Sequence, residues 1–192
     1  MKKIAEGKTK IIYATENSCE VLIESKSDIT AGDGVRHDVI ESKDILATET
    51  TSNCFLFLEK NGIATHFVER VNKNIFRAKR CRMISVELVA RRIATGSYLK
   101  RNPRTIEGKV FEGEPVLELF YKDDKNHDPL MLWNGLWKSW YLYSASQPVS
   151  RETMIGALDE TTVSIWVADN LKRITKYVFL LLEAAWKKQG VA

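Results

Sequence analysis

Short apolar runs that alternate with polar residues dominate the first half of the chain. Lys10-Ile-Ile-Tyr-Ala14 and Glu20-Val-Leu-Ile-Glu24, separated by the turn formers Glu16-Asn-Ser18, predict an antiparallel hairpin. After the turn Ser27-Asp-Ile-Thr-Ala-Gly-Asp-Gly34 the period changes. Between Asp44 and Lys60 the residues Ile45, Thr48, Cys54, Phe55 and Leu58 recur near helical spacing, and Asn61-Gly62 supplies a C-cap. This predicts one helix packed on a sheet. Two more strands are predicted over 64–70 and 83–90, with the charged stretch Arg77-Ala-Lys-Arg80 between them as a turn that would also suit a hinge between lobes.

In the second half, Asn-Pro-Arg and Glu-Gly pairs between Arg101 and Glu114 mark a loop, and Pro115-Val-Leu-Glu-Leu-Phe-Tyr121 returns to strand alternation. Ser150-Arg-Glu-Thr predicts the start of a short helix, and Asp159 or Thr161 caps a long one. Val163, Trp166, Val167, Leu171, Ile174, Val178, Leu181, Leu182 and Ala185 form its apolar stripe, which ends at Gly190. The fold class is therefore α+β: a small antiparallel N-terminal lobe, then a lobe whose strands are covered by helices. Trp133, Trp137, Trp140, Trp166 and Trp186 are expected in the core or at a lobe interface.

Composition narrows the class. With 192 residues and 44% hydrophobic residues the chain is too apolar to be disordered. Its net charge of +4, from 29 basic and 25 acidic residues, is spread along the sequence. No interleaved basic and aromatic stripe points to nucleic acid, whereas anionic metabolites fit. Three cysteines, Cys19, Cys54 and Cys81, cannot close a disulfide framework, so a reduced cytoplasmic compartment is expected. The N-terminus turns charged before an apolar segment forms, and the longest apolar run, 177–182, is far short of a membrane span. A soluble, unanchored protein is expected.

The richest chemical signal is Arg91-Arg-Ile-Ala-Thr-Gly-Ser97 with Lys100-Arg101, where an apolar strand empties into adjacent arginines and a glycine turn. Arginine forks grip planar carboxylate or phosphate oxygens two at a time. Successive strand residues point to opposite sides, so at least one of Arg91 and Arg92 faces a cleft or the core. Farther on, Lys122, Asp123, Asp124, His127 and Asp128 form a burst of charge, either a ligand-facing cluster or a solvated loop. Near the start, Glu6-Gly-Lys-Thr-Lys10 offers two lysines to a phosphate chain or is an exposed strand start; it lacks the full Gly-x-x-x-x-Gly-Lys loop. Asp33, between two glycines, could face a ligand amine or a metal, or sit in an ordinary glycine turn.

Taken in order, Glu6-Gly-Lys-Thr-Lys-Ile-Ile-Tyr13, Ser27-Asp-Ile-Thr-Ala-Gly-Asp-Gly34, Gly62-Ile-Ala-Thr-His-Phe67, Arg91-Arg-Ile-Ala-Thr-Gly-Ser97 with Lys100-Arg-Asn-Pro103, and Phe120-Tyr-Lys-Asp-Asp-Lys-Asn-His-Asp-Pro129 resemble the phosphoribosylaminoimidazole-succinocarboxamide synthase (SAICAR synthetase) family of purine biosynthesis. The resemblance implies a cytoplasmic ligase joining L-aspartate to carboxyaminoimidazole ribotide with ATP and Mg2+. It implies a nucleotide-binding lobe over residues 1–82 and a substrate-binding lobe over 83–192. Gly7, Lys8, Thr9 and Lys10 would cradle the ATP phosphates, Met83 would line the adenine slot, and Glu87 would help hold the nucleotide. Asp33, Arg91, Arg92, Ser97, Lys122, His127 and Asp128 would bind substrate. Arg91, Lys122 and Asp128 would carry the catalysis, with Asp128 also a metal ligand. Partners would be small molecules, with no nucleic acid and no membrane.

One departure accompanies the resemblance. In the family the long helix is followed by a strand reading Asp-Phe-Lys-x-Glu-Phe-Gly and an acidic hairpin that supply magnesium ligands; this sequence contains neither, and the substrate lobe is expected to be incomplete relative to the family. Three readings stand: a short enzyme with substitute metal ligands, a descendant that binds nucleotide or purine intermediates without ligase activity, or one part of a split enzyme. An uncovered sheet edge would suit a homo-oligomeric contact.

Overall fold

Strands β1 (Lys3–Glu6), β2 (Lys10–Ala14) and β3 (Glu20–Ser25) run antiparallel in succession, with β2 and β3 in continuous register from Lys10↔Ser25 to Ala14↔Val21. They belong to the first of two units, Met1–Arg82 and Met83–Ala192, of a computed structural model that describes residues 1–31 and 36–191. The hairpin predicted over the second and third strands is present. A small ladder of β4 (Asp28–Ala31) and β5 (Arg36–Val39) follows, then α1 (Lys43–Lys60), β6 (Phe67–Arg70) and β7 (Ile75–Lys79). The main sheet runs β1-β2-β3-β7-β6.

Helix α1 covers this sheet with small polar residues as well as apolar ones. Thr48 is fully buried and donates to Ser25 Oγ at 2.8 Å, while Ser52 donates to the Thr48 carbonyl at 2.7 Å. Buried hydroxyls are tolerated because each finds a partner. The helix ends as predicted, with Asn61 capping and Gly62 at φ +79°.

The stretch expected as a turn and hinge, Arg77-Ala-Lys-Arg80, is instead mostly β7, an interior strand paired with both β3 and β6. Phe76 and Ala78 point into the core. Arg77 points the other way and pairs with Glu69 at 2.6 Å and Glu20 at 3.7 Å. A sheet with one wet face tolerates charge at every second position, which reads as a turn when the apolar partners are few. The strand predicted over 83–90 begins only at Val86, and residues 80–85 have no regular structure.

The second unit is a meander. Strands β8 (Val86–Arg91), β9 (Val116–Tyr121), β10 (Leu130–Asn134), β11 (Ser139–Tyr143) and β12 (Met154–Asp159) lie in the order β12-β11-β10-β9-β8, with helices α2 (Ser97–Arg101) and α3 (Ile165–Lys188). Its core gathers Leu119, Met131, Trp140, Leu142, Val163 and Ala168. Trp140 anchors it, fully buried with its indole N–H donated to the Val163 carbonyl at 2.6 Å.

Three expectations fail here. Ser150-Arg-Glu-Thr forms a turn leading into β12, not a helix: the Thr153 hydroxyl bonds the Pro148 carbonyl at 2.7 Å and receives the Ser150 N–H at 2.9 Å, a local alternative to helical bonding. The long helix is capped by Ser164, whose Oγ accepts the Val167 N–H; Asp159 instead closes a turn on the Thr161 N–H at 2.7 Å. The tryptophans are not all internal. Trp137, Trp166 and Trp186 are exposed, and Ile174 on the predicted stripe is also half out in solvent. The segment expected as loop after residue 101 is preceded by α2, which the sequence reading missed.

Candidate functional site

Two-residue periodicity sorts the chemistry of the second unit. In the β8–β9 hairpin Val89 lies opposite Glu118, Glu87 opposite Phe120 and Arg91 opposite Val116. Val86, Leu88, Leu119 and Tyr121 belong to the core that α3 helps to form. Glu87, Arg91, Glu118 and Phe120 therefore occupy the other face, because alternate strand residues point to opposite sides. Lys122 continues that phase just beyond β9.

At one end of this face sits a charge triad. Arg91 Nε donates to Glu118 Oε2 at 2.6 Å, and Arg101 Nη2 donates to Glu118 Oε1 at 2.6 Å. Arg101 also donates to the Ala145 carbonyl and lies over the Phe120 ring, 5.0 Å from its centroid. Arg91 Nη2 reaches Ser97 Oγ at 3.4 Å. Ser97 opens α2 directly after Gly96, which sits at φ +58° and ψ −133°, a conformation glycine alone adopts readily. The Thr-Gly-Ser turn thus delivers a hydroxyl to the arginine six residues before it.

Arg92 goes the other way. It continues the phase of Leu88 and Ala90, and its Nε and Nη2 donate to the two oxygens of Glu183 on α3 at 2.7 and 2.9 Å. Nη1 donates to the carbonyls of Phe111 at 2.6 Å and Gly113 at 2.9 Å. The hydrogen bond to Glu183 raises the guanidinium pKa further, and the same bond holds the Glu183 carboxyl below its ordinary value. The structure brings Arg91, not Arg92, to Ser97.

At the other end of the hairpin face Lys122 pairs with Asp128 and reaches Glu87 at 3.4 Å. The hydrogen bond that Lys122 donates to Asp128 raises the Lys122 pKa, and Asp128 Oδ1 also accepts the Asp123 N–H at 2.8 Å. His127 and Asp128 both hold positive φ, 56° and 50°, and lead into the buried Pro129. Two consecutive non-glycine residues in the left-handed region store backbone strain of the kind found at ligand sites. The exposed His127 is placed beside this cluster by the chain, following a 3₁₀ turn at Asp124–Asn126.

In the first unit, Gly7, Lys8 and Thr9 form the turn between β1 and β2, closed by the Gly7 N–H to the Lys10 carbonyl at 2.8 Å. Lys8 and Thr9 are exposed. Lys10 differs: its ammonium sits over the Phe76 ring, 5.4 Å from the centroid, and burial lowers its pKa. Burial, then the nearby Lys10 charge, also lowers that of His66. Met83 is 82% exposed in the irregular segment that precedes β8. Asp33 lies outside the described residues.

Sequence reasoning missed Glu118, Arg101 and Glu183 as partners. A carboxylate inside Val-Leu-Glu-Leu-Phe was the available signal, since a charge flanked by core residues demands a counterion. Among the described residues no group of three or more His, Cys, Asp or Glu side chains could hold a metal ion, and no helix is long and apolar enough to cross a membrane.

Comparison with known proteins adds an independent observation. The family model for SAICAR synthetase matches residues 3–192. A phosphoribosylaminoimidazole-succinocarboxamide synthase of Roseiflexus sp. (strain RS-1) is 39% identical over 192 residues, covering 99% of this chain and 68% of that protein. The bifunctional purine synthesis protein purC/E of Dictyostelium discoideum is 52% identical over 129 residues, 67% of this chain but 13% of that protein. Among solved structures, a SAICAR synthetase (type 2) in complex with ADP matches with a TM-score of 0.79 and 27% identity, over 97% of this chain and 69% of its own.

Proposed function

The chain belongs to the SAICAR synthetase family, and from that premise we propose that it is an ATP-dependent ligase of purine biosynthesis that joins L-aspartate to carboxyaminoimidazole ribotide. One observation carries this reading: Arg91 with Ser97, and Lys122 with Asp128 and Glu87, share one face of the β8–β9 hairpin. Glu87 and Arg91 are four residues apart, about 13 Å at about 3.3 Å per strand residue. Cationic groups at the two ends of this face, Arg91 at one and Lys122 beside Glu87 at the other, suit a ribotide, whose phosphate and imidazole carboxylate lie at opposite ends.

The chemistry proceeds by two displacements. A carboxylate oxygen of the imidazole attacks the γ-phosphorus of ATP, the bond to ADP breaks, and an acyl phosphate forms. The aspartate amine then attacks the acyl carbon, a C–N bond forms, phosphate leaves with its electron pair, and the nitrogen loses a proton. Both steps gather negative charge, so positioning and charge neutralisation are the protein's main tasks. In this reading Arg91 and Ser97 hold the ribotide phosphate or the succinyl carboxylates. Lys122, steered by Asp128 and Glu87, faces the imidazole carboxylate. Gly7, Lys8, Thr9 and Lys10 attend the ATP phosphates, with Met83 against adenine. His127 lies at the rim of the ribotide site.

ATP brings magnesium with it. The described residues do not form a cage for that ion: Asp128, expected as a ligand, already binds Lys122 and the Asp123 N–H. We place the protein in the cytoplasm with small molecules as its partners, in keeping with its three free cysteines.

The test is to incubate pure protein with carboxyaminoimidazole ribotide, L-aspartate, ATP and magnesium, following succinocarboxamide product and ADP. Stoichiometric appearance of both is expected. Ribotide binding in calorimetry with no turnover would replace this reading by a binding module without ligase activity.

A further inference from the structure

We propose that Glu118 is a positioning residue: it fixes the guanidinium of Arg91 and the hydroxyl of Ser97 as a one-sided receptor for a substrate oxyanion, phosphate or carboxylate. The proposal rests on the reading above that Arg91 meets substrate.

Three observations carry it. First, the single carboxylate of Glu118 divides its oxygens between two arginines from different elements, Oε2 to Arg91 on β8 and Oε1 to Arg101 on α2, each at 2.6 Å. Because α2 also carries Ser97, one side chain sets both the rotation of the Arg91 fork and its distance from the hydroxyl. Removal of that carboxylate frees a strand residue and a helix from each other.

Second, the triad is unbalanced. Two guanidinium groups and one carboxylate leave one positive charge, and the surroundings decide where it is felt. The side chain of Arg101 is 1% exposed, that of Glu118 8% and that of Arg91 17%. Arg101 is stacked on Phe120 and tied to the Ala145 carbonyl, so it cannot turn towards a ligand. Its role is to satisfy the far oxygen of Glu118. The carboxylate is thus shared, Arg91 is not fully neutralised, and the uncompensated charge emerges through the one member that has an accessible edge.

Third, the Arg91 fork is only partly used. Nε is spent on Glu118 and Nη2 reaches Ser97, while Nη1 has no hydrogen-bond partner among the described residues. Arg92, the next residue in the chain, is a contrast, since Nε, Nη1 and Nη2 all have protein partners. An arginine oriented through Nε, with Nη1 left without a protein partner, is preorganised for an oxyanion and loses less side-chain entropy on binding.

The experiment compares wild type, Glu118→Gln, Arg91→Ala and the double variant in the ligase assay, with saturation curves for each substrate. Glu118→Gln keeps the shape but turns an N–H2 group towards one arginine. It should raise KM for the ribotide, or for aspartate if the oxyanion is a substrate carboxylate, by about ten- to a hundredfold, the range that outer-layer partners of ligand-holding groups command. The ATP KM should stay within about twofold. In the Arg91→Ala background Glu118→Gln should have no further effect on that KM, because its influence passes through Arg91. Equal ribotide and aspartate KM values in wild type and Glu118→Gln, or additive effects in the double variant, overturn the proposal.

A second measurement does not depend on turnover. In wild type the Arg91 Nε–H should give a resonance protected from solvent exchange in 15N NMR, lost in Arg91→Ala and exchange-broadened in Glu118→Gln; an unchanged resonance in Glu118→Gln overturns the proposal. If wild type neither turns over nor binds ribotide while Glu118→Gln exposes Arg91, the ligase reading fails and the positioning by Glu118 stands. Glu118→Asp, which keeps the charge but shortens the reach, covers the case in which Glu118→Gln does not fold, with the same readouts.

Discussion

Arg92 and Glu183, 91 positions apart in the chain, meet as a two-pronged ion pair that ties the end of β8 to the last third of α3. The adjacent Arg91 pairs with Glu118 on the opposite face. One strand end therefore delivers one arginine to structure and the next to a candidate ligand site, and each role is fixed by the partner that strand alternation offers.

Arg92→Gln should lower the melting temperature in a pH-dependent way. The Glu183 carboxyl, held down by Arg92, has a folded-state pKa below its ordinary 4.5. Such a group contributes stability that is present above the unfolded value and is lost as pH falls through the folded one. The gap between wild type and variant should be full at neutral pH and shrink below about 4.5. A gap constant from pH 7 to pH 3 in thermal unfolding contradicts this.

Arg91→Ala should weaken ribotide-dependent turnover by about a hundredfold, since a charge-assisted contact contributes about 1.5–3 kcal/mol. Arg91→Lys should recover little of it. A lysine has no Nε–H to give Glu118 while keeping an outward edge. Steady-state kinetics with varied ribotide checks both.

Lys10→Ala should chiefly raise the ATP requirement. Burial lowers the Lys10 pKa from 10.5, so the ammonium that would face phosphate is lost at a lower pH than for a free lysine. The sign for folding is opposite: stability rises as pH climbs from the folded value towards 10.5. Apparent ATP affinity should therefore fall on the alkaline side while the fold is not weakened by this group. Lys10→Arg should remove that alkaline limb; titration of ATP binding against pH is the measurement.

Trp140→Phe should destabilise the second unit by about 2–4 kcal/mol. The change removes a buried hydrogen bond to the Val163 carbonyl and leaves a void in a close-packed core. Urea unfolding followed by circular dichroism reports it. Loss of under about 0.5 kcal/mol contradicts the assignment of Trp140 as the anchor.

Gly96→Ala should impair ribotide binding through Ser97. A Cβ there meets nothing within 4 Å, so the cost is conformational: φ is +58° with ψ −133°. Strain of about 1–3 kcal/mol is expected, and α2 should shift to relieve it. Gly156→Ala, where a Cβ also meets nothing and φ is not positive, is the control and should be nearly silent.

Much of this was legible from residue order. The β2–β3 hairpin and α1 were visible because apolar spacing and turn residues agree locally, and α1 stops at the Asn61-Gly62 signal. The strand β7 was hidden because the charges of Arg77, Lys79 and Arg80 interrupt its buried Ile75, Phe76 and Ala78. The caps of α3 were misread because Asp159 and Ser164 are equally good N-cap residues, and only the turn at Thr161 chooses between them. The candidate site was half visible: Arg91, Ser97, Arg101, Lys122 and Asp128 stand out by type, whereas Glu118, and its bridging of Arg91 to Arg101, do not.

By itself the sequence determined the chemistry available and the local periods: which residues carry charge, where strands alternate, where glycine permits a turn. Those are properties of neighbours in the chain. The tertiary structure decided which of two adjacent arginines keeps a free edge. That depends on Glu183 and Glu118, brought to opposite faces of one strand by a distant helix and a neighbouring strand, and no local pattern encodes such a pairing.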